Sequence, residues 1–189
     1  TEIENFMRRE GATRTSFDTI CASGVRSCMP HGIATDKVIE KGDFLTMDFG
    51  CVYKGYCSDM TRTVIFGEPT QKQREVYNTV LRAQNEVLEN VSVGMKCVDV
   101  DTIARKVILD SGYGDNFTHA LGHSVGIDIH ESPVFSPKSS DTVEMGNVLS
   151  VEPGIYIDGE FGVRIEDLIA VTEDGILNLT HSPKELIII

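Results

Sequence analysis

One short pattern is written twice in this chain. Residues 42–50 read GDFLTMDFG and residues 146–154 read GNVLSVEPG, each position 104 on from its counterpart. Gly42 maps to Gly146, Leu45 to Leu149, Thr46 to Ser150, Asp48 to Glu152 and Gly50 to Gly154. The first copy alternates as a strand does, with Phe44, Thr46 and Asp48 on one side and Leu45, Met47 and Phe49 on the other. A carboxylate at the end of a core-facing row is destabilising unless something compensates its charge. Two such strands call for two related halves around an antiparallel sheet, each ending an apolar strand on an acid.

The intervening sequence supports an α+β order of helix, strands, two helices, strands. A helix is expected over 1–10 and strands at 17–23, 43–50 and 56–66, the last two joined by a turn near Tyr53–Gly55. Thr70-x-x-Gln73 is a capping box opening a helix to about Asn90, with Val76, Val80, Leu81, Val87 and Leu88 as its apolar stripe. A second helix is expected from about Asp99, stopping before Gly112. Strands follow near 123–129, 147–152, 155–158, 162–171 and 176–179, with turns at Asp158-Gly159 and Asp174-Gly175. The whole of 1–189 reads as one domain.

The acids come in pairs. Asp59 follows Asp48 across a hairpin, and a loop centred on residues 53–54 sets the two directly opposite, on one face of the sheet. Glu166 follows Glu152 across the Asp158-Gly159 turn, inside GVRIEDLIAV, where Val163, Ile165, Leu168 and Ile169 are core-like. Carboxylates so placed require a cation or a proton between them. Three of the five histidines, His119, His123 and His130, fall within HALGHSVGIDIHE. The spacing of His119 and His123 suits a zinc helix, but Ala120 stands where that motif needs Glu, and Gly122 and Gly126 oppose a helix. His31 stands alone and on this reading is structural. Four carboxylates with one imidazole form a mostly oxygen ligand set, suited to Mn²⁺, Co²⁺, Fe²⁺ or Zn²⁺. Their four charges balance two divalent ions, the hydrolytic two-metal arrangement.

The net charge of −12 and the absence of a Lys/Arg cluster argue against nucleic acid as a partner. No stretch is long and apolar enough for a membrane span, LIII at the C-terminus being far too short. Five cysteines, none in a C-x-x-C pair, with no secretory segment, suit reduced thiols in a cytoplasm. The chain opens on Thr1 and enters a helical pattern at once, so an upstream part is expected to be missing.

These residues together resemble the pita-bread metallopeptidases, the group of methionine aminopeptidase, aminopeptidase P and prolidase (Xaa-Pro dipeptidase). The matching stretches are PHGIATDKVIEKGDFLTMDFG, GYCSDMTRT, HALGHSVGIDIHE, VEPGIYI and GVRIED, spanning residues 30–167. Asp48, Asp59, His123, Glu152 and Glu166 match that family's five metal ligands in order. The H-x-x-x-H pair resembles the proline-specific branch, and His31, read above as structural, matches a pocket histidine there.

The resemblance implies a pita-bread fold of two pseudo-symmetric α/β halves around a curved antiparallel sheet. It implies two divalent metal ions, manganese first, with cobalt, zinc or iron as alternatives. Asp48 is expected on one metal, His123 with Glu152 on the other, and Asp59 and Glu166 bridging. A metal-activated hydroxide then hydrolyses an Xaa-Pro peptide bond, with Glu152 carrying the proton and His119, His130 and His31 serving substrate or intermediate. Arg164 and Tyr156 fall on motif positions near the site, and Arg164 and Lys138 are candidates to catch a dipeptide's carboxylate. The family's separate N-terminal domain and opening helix are expected to be the part missing upstream, and a homodimer is implied for the full-length form. Two alternatives stay open: aminopeptidase P activity on longer peptides, and a metal-free creatinase-like or non-catalytic binding protein.

Overall fold

A computed structural model describes residues 2–189. The elements in chain order are α1 (Glu2–Arg9), β1 (Arg14–Thr15), β2 (Ile20–Ser23), a 3-10 turn at Gly24–Cys28, β3 (Phe44–Phe49), β4 (Cys51–Tyr53), β5 (Tyr56–Cys57) and β6 (Met60–Ile65). Then come α2 (Gln71–Asn90), α3 (Cys97–Asp110), a 3-10 turn at Gly114–Asn116, β7 (Gly122–Ser124) and β8 (Glu131–Phe135). The chain closes with β9 (Val148–Val151), β10 (Gly154–Ile157), β11 (Phe161–Arg164), β12 (Asp167–Thr172) and β13 (Gly175–Asn178). Helices and antiparallel sheets mix, as an α+β fold requires.

The doubled sequence is a doubled structure. Gly42 and Gly146 share a φ of 92°, a left-handed conformation that favours glycine. Asp43 accepts the Glu40 N–H through its side chain at 2.9 Å, and Asn147 accepts the Glu144 N–H at 2.8 Å. Each of these turns delivers the chain into a strand, β3 or β9, that ends beside its acid. α2 packs on β9, β10 and β11, while β3 is buried between β2, β6 and β11, with Phe44 stacked on Tyr77 of α2. Thr70 and Gln73 do form a capping box at the start of α2. Val76, Tyr77, Val80, Ala83 and Val87 of α2 pack with Val100, Ala104 and Ile108 of α3 against Leu149, Val151, Ile155, Val163, Ile165 and Ile169. Because strand side chains alternate, burying Val151 and Ile165 on the helix side turns Glu152 and Glu166 to the opposite face.

Four features differ from the sequence expectation. The antiparallel strands form four sheets, ordered β1-β4-β5, β2-β3-β6, β10-β11 and β13-β12-β9-β7-β8. The strand expected over 162–171 breaks at Ile165–Glu166, where the Glu166 N–H leaves its own hairpin to reach Thr61 O at 3.1 Å. The strand expected over 123–129 stops at Ser124, and the pairing is taken up by β8. β8 carries Pro133 and lies at the sheet edge, where a missing N–H is tolerated and the strand signal is masked.

The fourth difference concerns the first acid pair. The first hairpin turns at Lys54 and Gly55, with φ of 49° and 90°, the two-residue turn that suits strand twist. That is one residue later than expected, and it moves the register by two. Asp48 therefore faces Thr61, not Asp59. In the second half the expected register holds: Val151 pairs with Asp167 and Gly154 with Arg164, which sets Glu152 opposite Glu166.

Candidate metal centre

Strand ends from both halves converge on one buried patch. Asp48 is at the end of β3, Asp59 just before β6, and Glu166 between β11 and β12. All three are buried, and one carboxylate oxygen from each lies within 4.8 Å of the others. The second group is His123 of β7 with Glu152 after β9. His123 Nε2 is 3.4 Å from Glu152 Oε1 and 3.7 Å from Asp59 Oδ2, so Asp59 belongs to both groups. Gly122 permits this approach, since a Cβ there would run into Ser150 O of the neighbouring strand. The bare glycine lets the His123 N–H reach Ser150 Oγ at 2.9 Å, and that hydroxyl donates to Glu152 Oε1 at 3.0 Å.

The donor set fits divalent cations on three observations. His123 Nδ1 lies 3.1 Å from Ser124 O, and a carbonyl only accepts, so the proton is on Nδ1 and the Nε2 lone pair points at two carboxylates. Lone pair against carboxylate is repulsive without a cation or proton between them. Asp48 Oδ1 and Glu166 Oε1 are buried with no hydrogen-bond partner. Finally, burial, with neighbouring carboxylates adding to it, pushes Asp59 up to about 9 and raises Glu166. Burial likewise pushes Glu152 up to about 7 against the pull of Arg164, and burial lowers His123. The protein itself supplies too little positive charge for these acids.

A hydrogen-bonded chain braces the cage. Arg164, 3% exposed, donates to Asp48 Oδ2 at 2.6 Å, Tyr156 OH at 2.8 Å, Pro30 O at 3.1 Å and Thr61 Oγ1 at 3.1 Å. Thr61 Oγ1 donates in turn to Glu166 Oε2 at 2.7 Å. His119 Nδ1 is 2.7 Å from Ala120 O, which leaves Nε2 to accept from Tyr156 OH at 2.9 Å. The direction is fixed: Arg164 to Tyr156 to His119. Burial pushes His119 down to about 4, so it is neutral near pH 7.

A cavity of about 510 Å³ opens over the cage. His31, His119, His123, His130 and Arg164 all line it, with Phe17, Ile20, Ile33, Ile129 and Val134 as apolar wall. The His130 ring stands 4.5 Å from that of His123. Tyr156 is buried behind, joined through Arg164 and His119. Lys138 is not brought to the site: it is exposed in the loop beyond the far end of β8 and does not line the cavity. Arg164 lines the cavity, but it is 3% exposed and four of its five N–H donors go to Asp48, Tyr156, Thr61 and Pro30, so its guanidinium serves the cage wall first. Sequence reasoning missed Thr61 and Ser150. Both stand two residues from an acid, and the strand period puts them on the acid's face.

The sequence matches metallopeptidase family M24 over residues 1–173. The chain belongs to metallopeptidase family M24. Among M24 relatives, a Pyrococcus furiosus protein named Xaa-Pro dipeptidase is 47% identical over 186 residues, which are 98% of this chain and 53% of the relative. A structure titled Xaa-Pro dipeptidase from Bacillus anthracis superposes with a TM-score of 0.97 at 52% identity, covering 100% of this chain and 53% of that one. The X-Pro aminopeptidase from Thermotoga maritima gives a TM-score of 0.95 at 43% identity, covering 99% and 53%. The fold is thus the pita-bread fold of the M24 enzymes, and the chain spans about half the length of the relatives it matches.

Proposed function

We propose that this chain builds the metal centre of an Xaa-Pro peptidase and that the protein hydrolyses Xaa-Pro dipeptides. The observation that carries the reading is the His123 lone pair held against Glu152 and Asp59, beside two orphaned carboxylate oxygens. Asp48 would hold one divalent ion, His123 and Glu152 a second, and Asp59 and Glu166 both, with Mn²⁺ the first candidate and Co²⁺, Zn²⁺ and Fe²⁺ its rivals. Such ions supply Lewis acidity that makes water nucleophilic near neutral pH and polarises a carbonyl.

The chain's own residues do the rest. Glu152, at the cavity wall beside His123, is placed to receive a proton and pass it to the leaving proline nitrogen. His130 and His31 offer imidazole nitrogens at the cavity wall to a substrate carbonyl. His119 has both ring nitrogens engaged and fixes Tyr156 and the wall. An Xaa-Pro imide has no N–H to satisfy, and the apolar side of the cavity suits a pyrrolidine ring. The substrate is a proline-containing peptide, not a nucleic acid. No helix among the described residues is long and apolar enough to cross a membrane, and all five cysteines are free thiols. The free thiols suit a cytoplasmic enzyme, which we propose acts as a homodimer.

One observation favours aminopeptidase P activity as a second reading. Among the described residues lining the cavity, Arg164 is the one Lys or Arg, and four of its five N–H donors are bonded inside the protein. A dipeptide's carboxylate is therefore poorly served by this cavity, whereas a longer peptide brings no carboxylate to that place. Comparing kcat/KM for Xaa-Pro and Xaa-Pro-Yaa in the Mn²⁺-loaded full-length protein tests this. Efficient cleavage of the dipeptide supports the proposal, and clear preference for the tripeptide replaces it with the second reading. No cleavage together with no uptake of divalent metal favours the non-catalytic alternative.

A further inference from the structure

Gln84 lies on α2, among Val76, Val80, Ala83 and Val87 of the helix face that packs on the strands, and is fully buried. Its Nε2 donates to Val151 O at 3.2 Å and to Ile165 O at 3.4 Å. Those carbonyls belong to the residues immediately before Glu152 and Glu166. Its Oε1 is buried with no partner. Packing alone does not account for an amide here, since an orphaned buried acceptor is destabilising and an apolar side chain of that length avoids it.

The backbone explains why a brace is needed at this point. Regular pairing stops at Val151↔Asp167 on one side and Gly154↔Arg164 on the other. Between them the two strands part. The Glu152 N–H goes to Leu121 O, just before β7, at 2.9 Å and the Glu166 N–H to Thr61 O of β6 at 3.1 Å. Pro153 has no N–H to give, and Ile165 N reaches Pro153 O only at 3.5 Å. Among the described residues, Gln84 is the one side chain that hydrogen-bonds to both segments.

We infer that Gln84 is a positioning residue that sets the gap between Glu152 and Glu166, and so the affinity of the cage for its metal ions. The inference rests on the metal-centre reading above. Its amide ties the split strands together from the core side, so the two carboxylates move as one unit on the other face.

The test titrates the purified protein with Mn²⁺ by calorimetry, and follows metal-free unfolding of the same samples. Gln84→Met keeps the length and loses both donors. It should fold with an unchanged circular-dichroism spectrum and bind Mn²⁺ about 10–100-fold more weakly, the usual effect of removing a group that orients ligands. Val87→Ala, a core change on the same helix face, should lower the metal-free melting temperature and keep the wild-type Mn²⁺ affinity. If Gln84→Met does not fold, Gln84→Asn withdraws the amide by one methylene and should show the same loss. Wild-type affinity in the Gln84 variant overturns the inference, and so does an equal loss in Val87→Ala, which marks a stability effect only. A wild-type protein that takes up no Mn²⁺ overturns the metal-centre reading itself, and the inference with it.

Discussion

Arg164, on the last position of β11, donates to Asp48, near the end of β3, at 2.6 Å, and so ties the second half of the chain to the first at the cage. Burial works against its charge, but Tyr156, Asp48 and Glu152 around it hold its pKa above the ordinary arginine value. Arg164→Lys removes the fork that serves Asp48, Tyr156, Thr61 and Pro30 together. We expect Mn²⁺ affinity and kcat/KM each to fall about 10–100-fold with the fold kept. Parallel calorimetry and peptide-cleavage assays check this, and an unchanged metal affinity would show that Asp48 does not need its partner.

Asp59 is the acid common to both ligand groups. Asp59→Asn keeps its shape and removes its charge, so metal affinity should drop by more than about 100-fold and activity with it. Elemental analysis and far-ultraviolet circular dichroism should report lost metal in a folded protein. An active Asp59→Asn protein would sink the assignment of this residue to both ions.

His119 makes a pH prediction whose sign follows from linkage. Its pKa falls from 6.5 in the unfolded chain to about 4 in the folded one. The stability that goes with its neutral form is present above about pH 6.5 and is lost as pH falls toward 4. His119→Gln abolishes that share. Between pH 7 and pH 4 the wild-type protein should therefore lose up to about 3 kcal/mol more stability than the variant. Urea unfolding curves of both across that range measure the difference; parallel curves would contradict the neutral, Tyr156-bonded imidazole.

Metal removal reverses the usual sign for acids. In the metal-free protein Asp59 is raised to about 9 and Glu152 to about 7, whereas the unfolded chain releases these protons near pH 4. These acids hold more protons in the folded state over that interval, so their contribution to metal-free stability falls as pH rises from about 4 through 9, opposite in sign to that of His119. Mn²⁺ takes the protons' place, so the rise in melting temperature on adding Mn²⁺ should be larger at pH 8 than at pH 6. Thermal unfolding at the two pH values, with and without chelator, tests it.

The fold and the cage were legible to different depths. The strands ending on acids and the repeat at 104 residues could be read directly, because period-two burial and a glycine before each strand leave local marks. The capping box of α2 was visible for the same reason. The pairing of Asp48 was not, since a turn moved by one residue shifts its partner by two, and apolar alternation alone does not place the turn. Lys138 looked available because its charge is visible in sequence while the direction in which β8 runs is not. Gln84 and Thr61 look like an ordinary helix glutamine and strand threonine. What they do depends on which carbonyl or carboxylate the packed strands bring to them.

The Glu166 N–H bond to Thr61 O has a kinetic consequence. The five cage residues are spread from residue 48 to residue 166, and the two halves meet through bonds that span more than a hundred residues. Such long-range closures come late, because chain entropy must be overcome before any contact compensates it. A ribosome that has released only the first half has made two acids without their imidazole. The second half must dock before the five cage residues stand together, so the cage is a late product of folding and not a property of either half alone.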